Sequence, residues 1–137
     1  MVIQIVRVRV IIQNQKEYLL LKKVKTVVTT IKEHIGGWEV PGGKLEYGEH
    51  VLLGGKREVK EETAQECTIL KELLPVIHTE EGILIQTRVF LATIPITKIT
   101  LSKEHSEYCW KTMSEIEKME NVIYKELLLK YLEEVQS

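Results

Sequence analysis

The sequence is that of a mixed α/β or α+β domain, with helices packed on a sheet. Three observations predict it. Residues 2–12 (VIQIVRVRVII) alternate Val6, Val8 and Val10 with Arg7 and Arg9, the period of a strand with one polar face. A charged stretch from His50 to Thr63 has helical character, and apolar β-branched runs follow it. Strands thus come first, then a helix, then strands and helices again.

The elements follow in order. Asn14-Gln15 predicts a turn, and residues 17–23 and 27–31 read as short strands. Gly36-Gly37 interrupts, Trp38-Glu39-Val40 resumes briefly, and Pro41-Gly42-Gly43 predicts a loop. Residues 67–78 and 83–94 read as a hairpin turning at Glu80-Glu81-Gly82. A short helix is expected over 114–119, with Ser114 as N-cap and Glu117 completing a capping box. Asn121 is expected to cap a last helix whose Ile123, Leu127, Tyr131 and Val135 share one face.

Composition narrows the function. The 137 residues suit one domain over 1–137, and 44% hydrophobic with 28% charged residues suits a folded protein. Nineteen Lys+Arg against twenty Asp+Glu leave a net charge of −1, which argues against a basic face for duplex nucleic acid. Cys67 and Cys109 are far apart, which excludes a disulfide scaffold or zinc ribbon and leaves them as small apolar fillers. No apolar run reaches the roughly 18 residues of a membrane span, and the N-terminus lacks a signal-peptide pattern. A cytoplasmic protein that binds no membrane is the expectation.

The stretch PGGKLEYGEHVLLGGKREVKEETAQE over 41–66 carries the chemistry. Glu58, Glu61 and Glu62 stand at i, i+3 and i+4, so their carboxylates share a helix face. Like charges so placed repel by about 0.2–0.5 kcal/mol per exposed pair. A hard divalent cation such as Mg²⁺ reverses that sign, since it takes carboxylate and phosphate oxygens. Gly42 and Gly43, without Cβ atoms, let backbone groups approach a ligand just before the helix N-terminus, which favours anions. Glu49 adds a fourth carboxylate. A Gly-Gly loop leading into a carboxylate-bearing helix reads as a phosphate-plus-metal site.

Gly43, Glu49, Arg57, Glu58, Glu61 and Glu62, with Val59 apolar between them, resemble the Nudix box. Six such matches arise by chance about once in a hundred thousand chains of this length. The flanking Trp38-Glu39-Val40-Pro41 is similar to the family's strand before the box, and the element order to its α/β/α sandwich with a mixed central sheet. Two positions depart from the pattern: Ala64 and Gln65 stand where the family has glycine and an apolar residue. Alanine in a left-handed helix exit costs about 1–2 kcal/mol. Gly54 and Gly55 are unusual inside a helix, where each costs about 1 kcal/mol relative to alanine; one of them is expected to permit close packing on the sheet.

The resemblance implies hydrolysis of a nucleoside diphosphate linked to another moiety, with water attacking phosphorus. It implies Glu58 and Glu62 as metal ligands, Glu61 as ligand or water-positioner, and the Gly42 carbonyl completing the shell. Glu49 would orient Arg57 or a water, and Arg57 would clamp the carboxylates. Mg²⁺ is the implied cofactor, with Mn²⁺ the alternative. The general base is a box glutamate or one from a distant loop; in segment 103–110 Glu104 is the first choice and Glu107 the second.

The expected substrate is a small nucleotide, a (deoxy)nucleoside triphosphate or a modified nucleotide. The alternatives are an ADP-ribose or nucleotide-sugar pyrophosphatase and a non-catalytic nucleotide-sensing domain. The remaining polar residues read as structural. Trp38, Trp110 and Tyr18 suit packing more than base stacking, and Tyr47 stands in the box loop. His34, His50, His78 and His105 form no ligand pair and read as surface or loop histidines, and Lys22-Lys23-Val24-Lys25 as a solvated turn. Leu52 and Leu53, if exposed, suggest a dimer contact; the chain is expected to be a monomer or homodimer.

Overall fold

A computed structural model describes residues 4–24 and 36–137. Along the chain run β1 (Gln4–Asn14), β2 (Glu17–Lys23), β3 (Trp38–Glu39), β4 (Gly42–Lys44) and α1 (Val51–Thr63). Then come β5 (Thr68–Glu72), β6 (Val76–Glu80), β7 (Ile83–Thr93), β8 (His105–Thr112), α2 (Met113–Lys118) and α3 (Lys125–Gln136). The strand expected at 27–31 lies outside the described residues.

β1 is the spine of a mixed sheet. It runs parallel to β7 from the Gln4–Leu84 pair to the Ile12–Ala92 pair, and antiparallel to β4 on its other edge. Its tip turns through Gln15 (φ 56°) into β2, which pairs β3 on one edge and β8 on the other. Val10 and Ile12 face one side with Leu19, Leu21 and Ala92, under Val59 of α1. Ile11 faces the other with Tyr18, Leu20 and Val89, under Ile116 of α2 and Leu128, Tyr131 and Leu132 of α3. Burial on both faces explains the unbroken apolar run at 10–12. The result is the expected α/β/α sandwich with a mixed central sheet.

Several local expectations need correction. Gly42–Lys44 forms a short strand, not a loop, because Gly42 and Gly43 lie flat against Arg9 and Val8. The 67–78 run is interrupted: β5 and β6 pair successive parts of β7, with a register shift between Ile69 and Lys71 and a break at Leu73-Leu74-Pro75. β6 and β7 still form the hairpin, through Glu81 (φ 49°) and Gly82 (φ 77°), the positive-φ pair of a two-residue turn.

The helix starts also shift. Helix α2 is capped by Thr112 and Glu115, not Ser114 and Glu117, because β8 delivers Thr112 in an extended conformation and the box closes two residues earlier. Asn121 does not cap α3. Its carbonyl accepts from the Trp38 N–H at 2.7 Å, and the Ile123 N–H donates to the Trp38 carbonyl at 2.9 Å. Residues 121–123 therefore run beside β3, and α3 starts after Tyr124 with Leu128, Tyr131 and Leu132 as its buried face. Leu127 is exposed.

Helix α1 starts at His50, whose Nδ1 accepts the Leu52 N–H at 3.1 Å. It ends in the left-handed conformation at Ala64 (φ 62°, ψ 23°), whose N–H bonds the Lys60 carbonyl. The exit geometry is thus that of a glycine cap, made with alanine. Replacing Ala64 by glycine is expected to raise the unfolding free energy by about 1 kcal/mol, read as a higher urea midpoint at unchanged slope.

Candidate active site

Arg57 organises the acidic helix. Its Nε and Nη2 donate to the two oxygens of Glu49 at 2.7 and 3.0 Å. Its Nη1 donates to Glu58 at 3.0 Å and to Glu61 at 3.2 Å, and Nη2 also reaches the Lys44 carbonyl at 3.3 Å. One guanidinium thereby aligns three carboxylates that would otherwise repel. This raises the Arg57 pKa, through Glu49 first. It holds the Glu49 carboxyl below the usual range.

Glu58 and Glu62 are buried, and Glu61 is exposed. Burial raises the Glu58 pKa; Arg57 opposes this, while the charges of Glu61 and Glu104 add to it. Burial pushes the Glu62 carboxyl well above its ordinary value, opposed by the Gly42 N–H, which donates to Glu62 Oε2 at 2.9 Å. The glycines are needed for closeness. A Cβ on Gly43 would lie 2.6 Å from Glu58 Oε1, and one on Gly42 would lie 2.2 Å from the Val8 carbonyl oxygen. Gly54 is the helix glycine at which a methyl would displace its neighbours, its Cβ falling 2.4 Å from Leu45 Cδ1 and 2.9 Å from Glu49 Oε1. It packs on the loop before the helix, whereas Gly55 has ordinary room against the sheet.

Glu104 and Glu107 part company. Carboxylate oxygens of Glu104 and Glu62 and a ring nitrogen of His105 lie within 4.8 Å of one another. Glu107 is exposed and pairs with Lys22 at 3.2 Å. Buried carboxylates held ionisable beside exposed ones form a donor set that fits a divalent cation: oxygen ligands, with excess negative charge that an ion would offset.

Two other expectations change. His105 is not a surface histidine: it is buried, and its Nε2 is 2.9 Å from Glu39 Oε2. Lys23 is not simply solvated, since its Nζ is 3.5 Å from Glu39 Oε1, and Arg9 stands 3.6 Å from the same oxygen. Burial raises the Glu39 carboxyl, but the His105 bond and the Arg9 and Lys23 charges outweigh it, and the pKa is lowered. His50 caps α1, and His78 pairs with Glu80 at 3.1 Å. His34 and Lys25 lie outside the described residues. Tyr18 is core, Trp110 Nε1 donates to the Thr97 carbonyl, Trp38 lies under Lys22, and Tyr47 is fully exposed. Leu52 and Leu53 are both exposed.

Beside this cluster opens a cleft of about 310 Å³ between the sheet and α3. Arg7, Arg9, Glu39, His78 and Glu80 line its polar side. Val76, Val89, Ile123, Tyr124 and Leu128 line the rest. Sequence reasoning missed this cleft. Its one signal was the alternation of Arg7 and Arg9, whose polar face is the cleft wall rather than open solvent. Glu39 belongs to both places, since it lines the cleft and holds His105.

The buried carboxylates predict a pH effect. An acid whose folded pKa is raised favours the fold while protonated, and that contribution is lost as pH climbs from 4.5, the ordinary value, through the raised one. In metal-free buffer at pH 8, Glu62→Gln should raise Tm by on the order of 5 °C, with the gain vanishing toward pH 4.5. Thermal scans with a chelator present read it.

The NUDIX domain family model matches residues 4–131. Nothing among curated protein sequences matches the chain. A MutT protein from Methanosarcina mazei Go1 is 26% identical, with 99% of this chain and 97% of that one covered and a TM-score of 0.81. A Nudix hydrolase from Nitrosomonas europaea is 21% identical over 98% of this chain and 73% of that one, at TM-score 0.80. A C. elegans Ap4A hydrolase is 20% identical over 98% of both chains, at TM-score 0.69. Members of the family generally need a divalent cation. Among the described residues no helix is long and apolar enough to cross a membrane. The chain belongs to the NUDIX family and is a Nudix hydrolase, acting on a pyrophosphate bond of a nucleoside-diphosphate-linked substrate.

Proposed function

We propose that the substrate is a single (deoxy)nucleoside triphosphate or a modified form of one, hydrolysed with Mg²⁺ or Mn²⁺. The carrying observation is the shared position of Glu39, on the wall of the apolar cleft and one hydrogen bond from His105 beside Glu62 and Glu104. A diphosphate at the carboxylates thus has room next to it for one organic moiety. The cleft lies at the small end of ligand pockets, which run about 300–1,000 Å³. That size favours one nucleoside over a dinucleotide or a nucleotide sugar such as ADP-ribose.

Glu58, Glu61 and Glu62, with the Gly42 carbonyl, are the groups that would hold the divalent ions. Such ions supply charge neutralisation on the diphosphate and acidify water. Arg57 and Glu49 keep the carboxylates aligned, and Gly43 keeps Glu58 in reach. Water adds to one phosphorus, the bridging P–O bond breaks, and the departing phosphate carries the bond's electron pair. Glu104, exposed and close to Glu62, accepts the proton from the attacking water. Arg7 and Arg9 bring positive charge to the cleft wall on the substrate's side.

A panel of nucleoside triphosphates, modified nucleotides, ADP-ribose and a UDP-sugar, assayed with Mg²⁺ and ranked by kcat/KM, tests this. A triphosphate should rank first. Glu104→Gln should lower kcat by about 10²–10⁴ with KM little changed, and Glu61→Gln and Glu62→Gln should also lose turnover. A panel led by ADP-ribose or a UDP-sugar, or metal-dependent turnover untouched in all three variants, would reject the reading.

A further inference from the structure

We propose that Arg7 is the base-reading residue of the cleft, and that the base it reads is guanine. The inference rests on reading the cleft as the seat of the organic moiety, but on no particular leaving group. Three observations carry it. Arg7 lines the cleft, half-buried, and makes no side-chain hydrogen bond or ion pair among the described residues. The carboxylates of the cleft are already taken, Glu39 by Arg9 at 3.6 Å, Lys23 at 3.5 Å and His105 at 2.9 Å, and Glu80 by His78 at 3.1 Å. The neighbours of Arg7 across the strands are Thr87 on β7, which also lines the cleft with no side-chain hydrogen bond among the described residues, and Lys44 on β4; neither brings a negative charge.

A guanidinium that loses water without gaining a partner is costly, because its donors go unanswered. Arg9, two residues along the same strand face, is answered within the chain: besides Glu39, it donates from Nη1 to the Val40 carbonyl at 3.4 Å. Arg7 is thus the donor fork that the fold leaves open, and it stands among the apolar side chains Val76, Val89 and Leu128.

The fork selects the guest. It only donates, and its parallel arms match two acceptors side by side in one plane. Guanine offers that pair in its 6-carbonyl oxygen and its ring nitrogen 7. Adenine sets an amino donor beside ring nitrogen 7, and thymine sets a methyl group beside its carbonyl. Cytosine has adjacent acceptors on its pairing edge, but its single ring covers less of the apolar wall than a purine does. Two arginines and two glutamates line the cleft, so their formal charges cancel, which suits an uncharged ring better than a further phosphate.

Calorimetric titration of the full chain with nucleoside monophosphates, with a chelator present, reads the preference without turnover. Guanosine monophosphate should bind about tenfold or more tighter than its adenosine, cytidine and uridine counterparts. Its 7-deaza analogue, with a C–H in place of ring nitrogen 7, should bind about tenfold weaker than the parent. In Arg7→Met that penalty and the guanine preference should both vanish, whereas a merely structural loss would weaken parent and analogue alike. Arg7→Gln, with one donor and one acceptor, should move the preference toward adenine. Arg88→Gln, next to Thr87 on β7 and so on the opposite face, should change nothing. Equal or undetectable binding of all four, a cytidine lead, or no 7-deaza penalty in the wild type (the mark of a phosphate on Arg7) overturns the proposal. So does a penalty kept in a folded Arg7→Met, or an undiminished guanine preference in Arg7→Gln, which decides the matter if Arg7→Met fails to fold. A guanine preference that depends on Arg7, in a chain that hydrolyses a nucleotide sugar fastest, overturns the triphosphate reading and leaves this inference standing.

Discussion

The guanidinium of Arg57 turns every edge toward an oxygen: both oxygens of Glu49, one each from Glu58 and Glu61, and the Lys44 carbonyl. Everything at the site depends on that fork. Two unit charges 4 Å apart interact by about 4 kcal/mol at an effective dielectric of 20, so a cluster of this many carboxylates would spread without a cation inside it. Arg57 is that cation, supplied by the chain and fixed in direction. Its attraction does not overcome the burial of Glu58, whose pKa stays raised. The helix is therefore aligned but still short of positive charge, the condition in which a divalent ion binds most favourably.

The glycines set how deep that charge deficit lies. Gly43 lets the sheet edge meet Glu58, and the Gly42 N–H meets Glu62. A side chain at Gly43 would meet the Glu58 carboxylate and force it out of its present position. The backbone of β4 thus lines the cluster because β1 pairs with it in register, so a feature of sheet topology fixes the depth of an electrostatic one.

Much of this was legible in the residues. The i, i+3, i+4 spacing put the glutamates on one face, period-two alternation identified β1, and Glu80-Glu81-Gly82 marked the turn between β6 and β7. What was not legible depended on contacts distant in sequence. Glu39 and His105 are 66 positions apart, and neither carries a local pattern that announces the other. Arg7 and Arg9 read only as the polar face of a strand, because alternation reports polarity and not what stands opposite. The capping errors had a different origin: two overlapping boxes, at 112–115 and 114–117, satisfy the same rule, and only the length of β8 chooses between them. Asn121 lost its capping role to a backbone bond with Trp38, a contact no propensity encodes.

The two-residue strand β3 is clasped on both edges, by β2 on one and by Asn121 and Ile123 on the other. It carries Glu39 on the wall of the cleft. The wall therefore cannot yield to an oversized guest without dragging the carboxylate that steadies His105. Under the proposed function, a poor fit in the cleft would thus be passed through Glu39 and His105 toward the phosphates, so discrimination between guests would reach the rate of bond cleavage and not merely residence time.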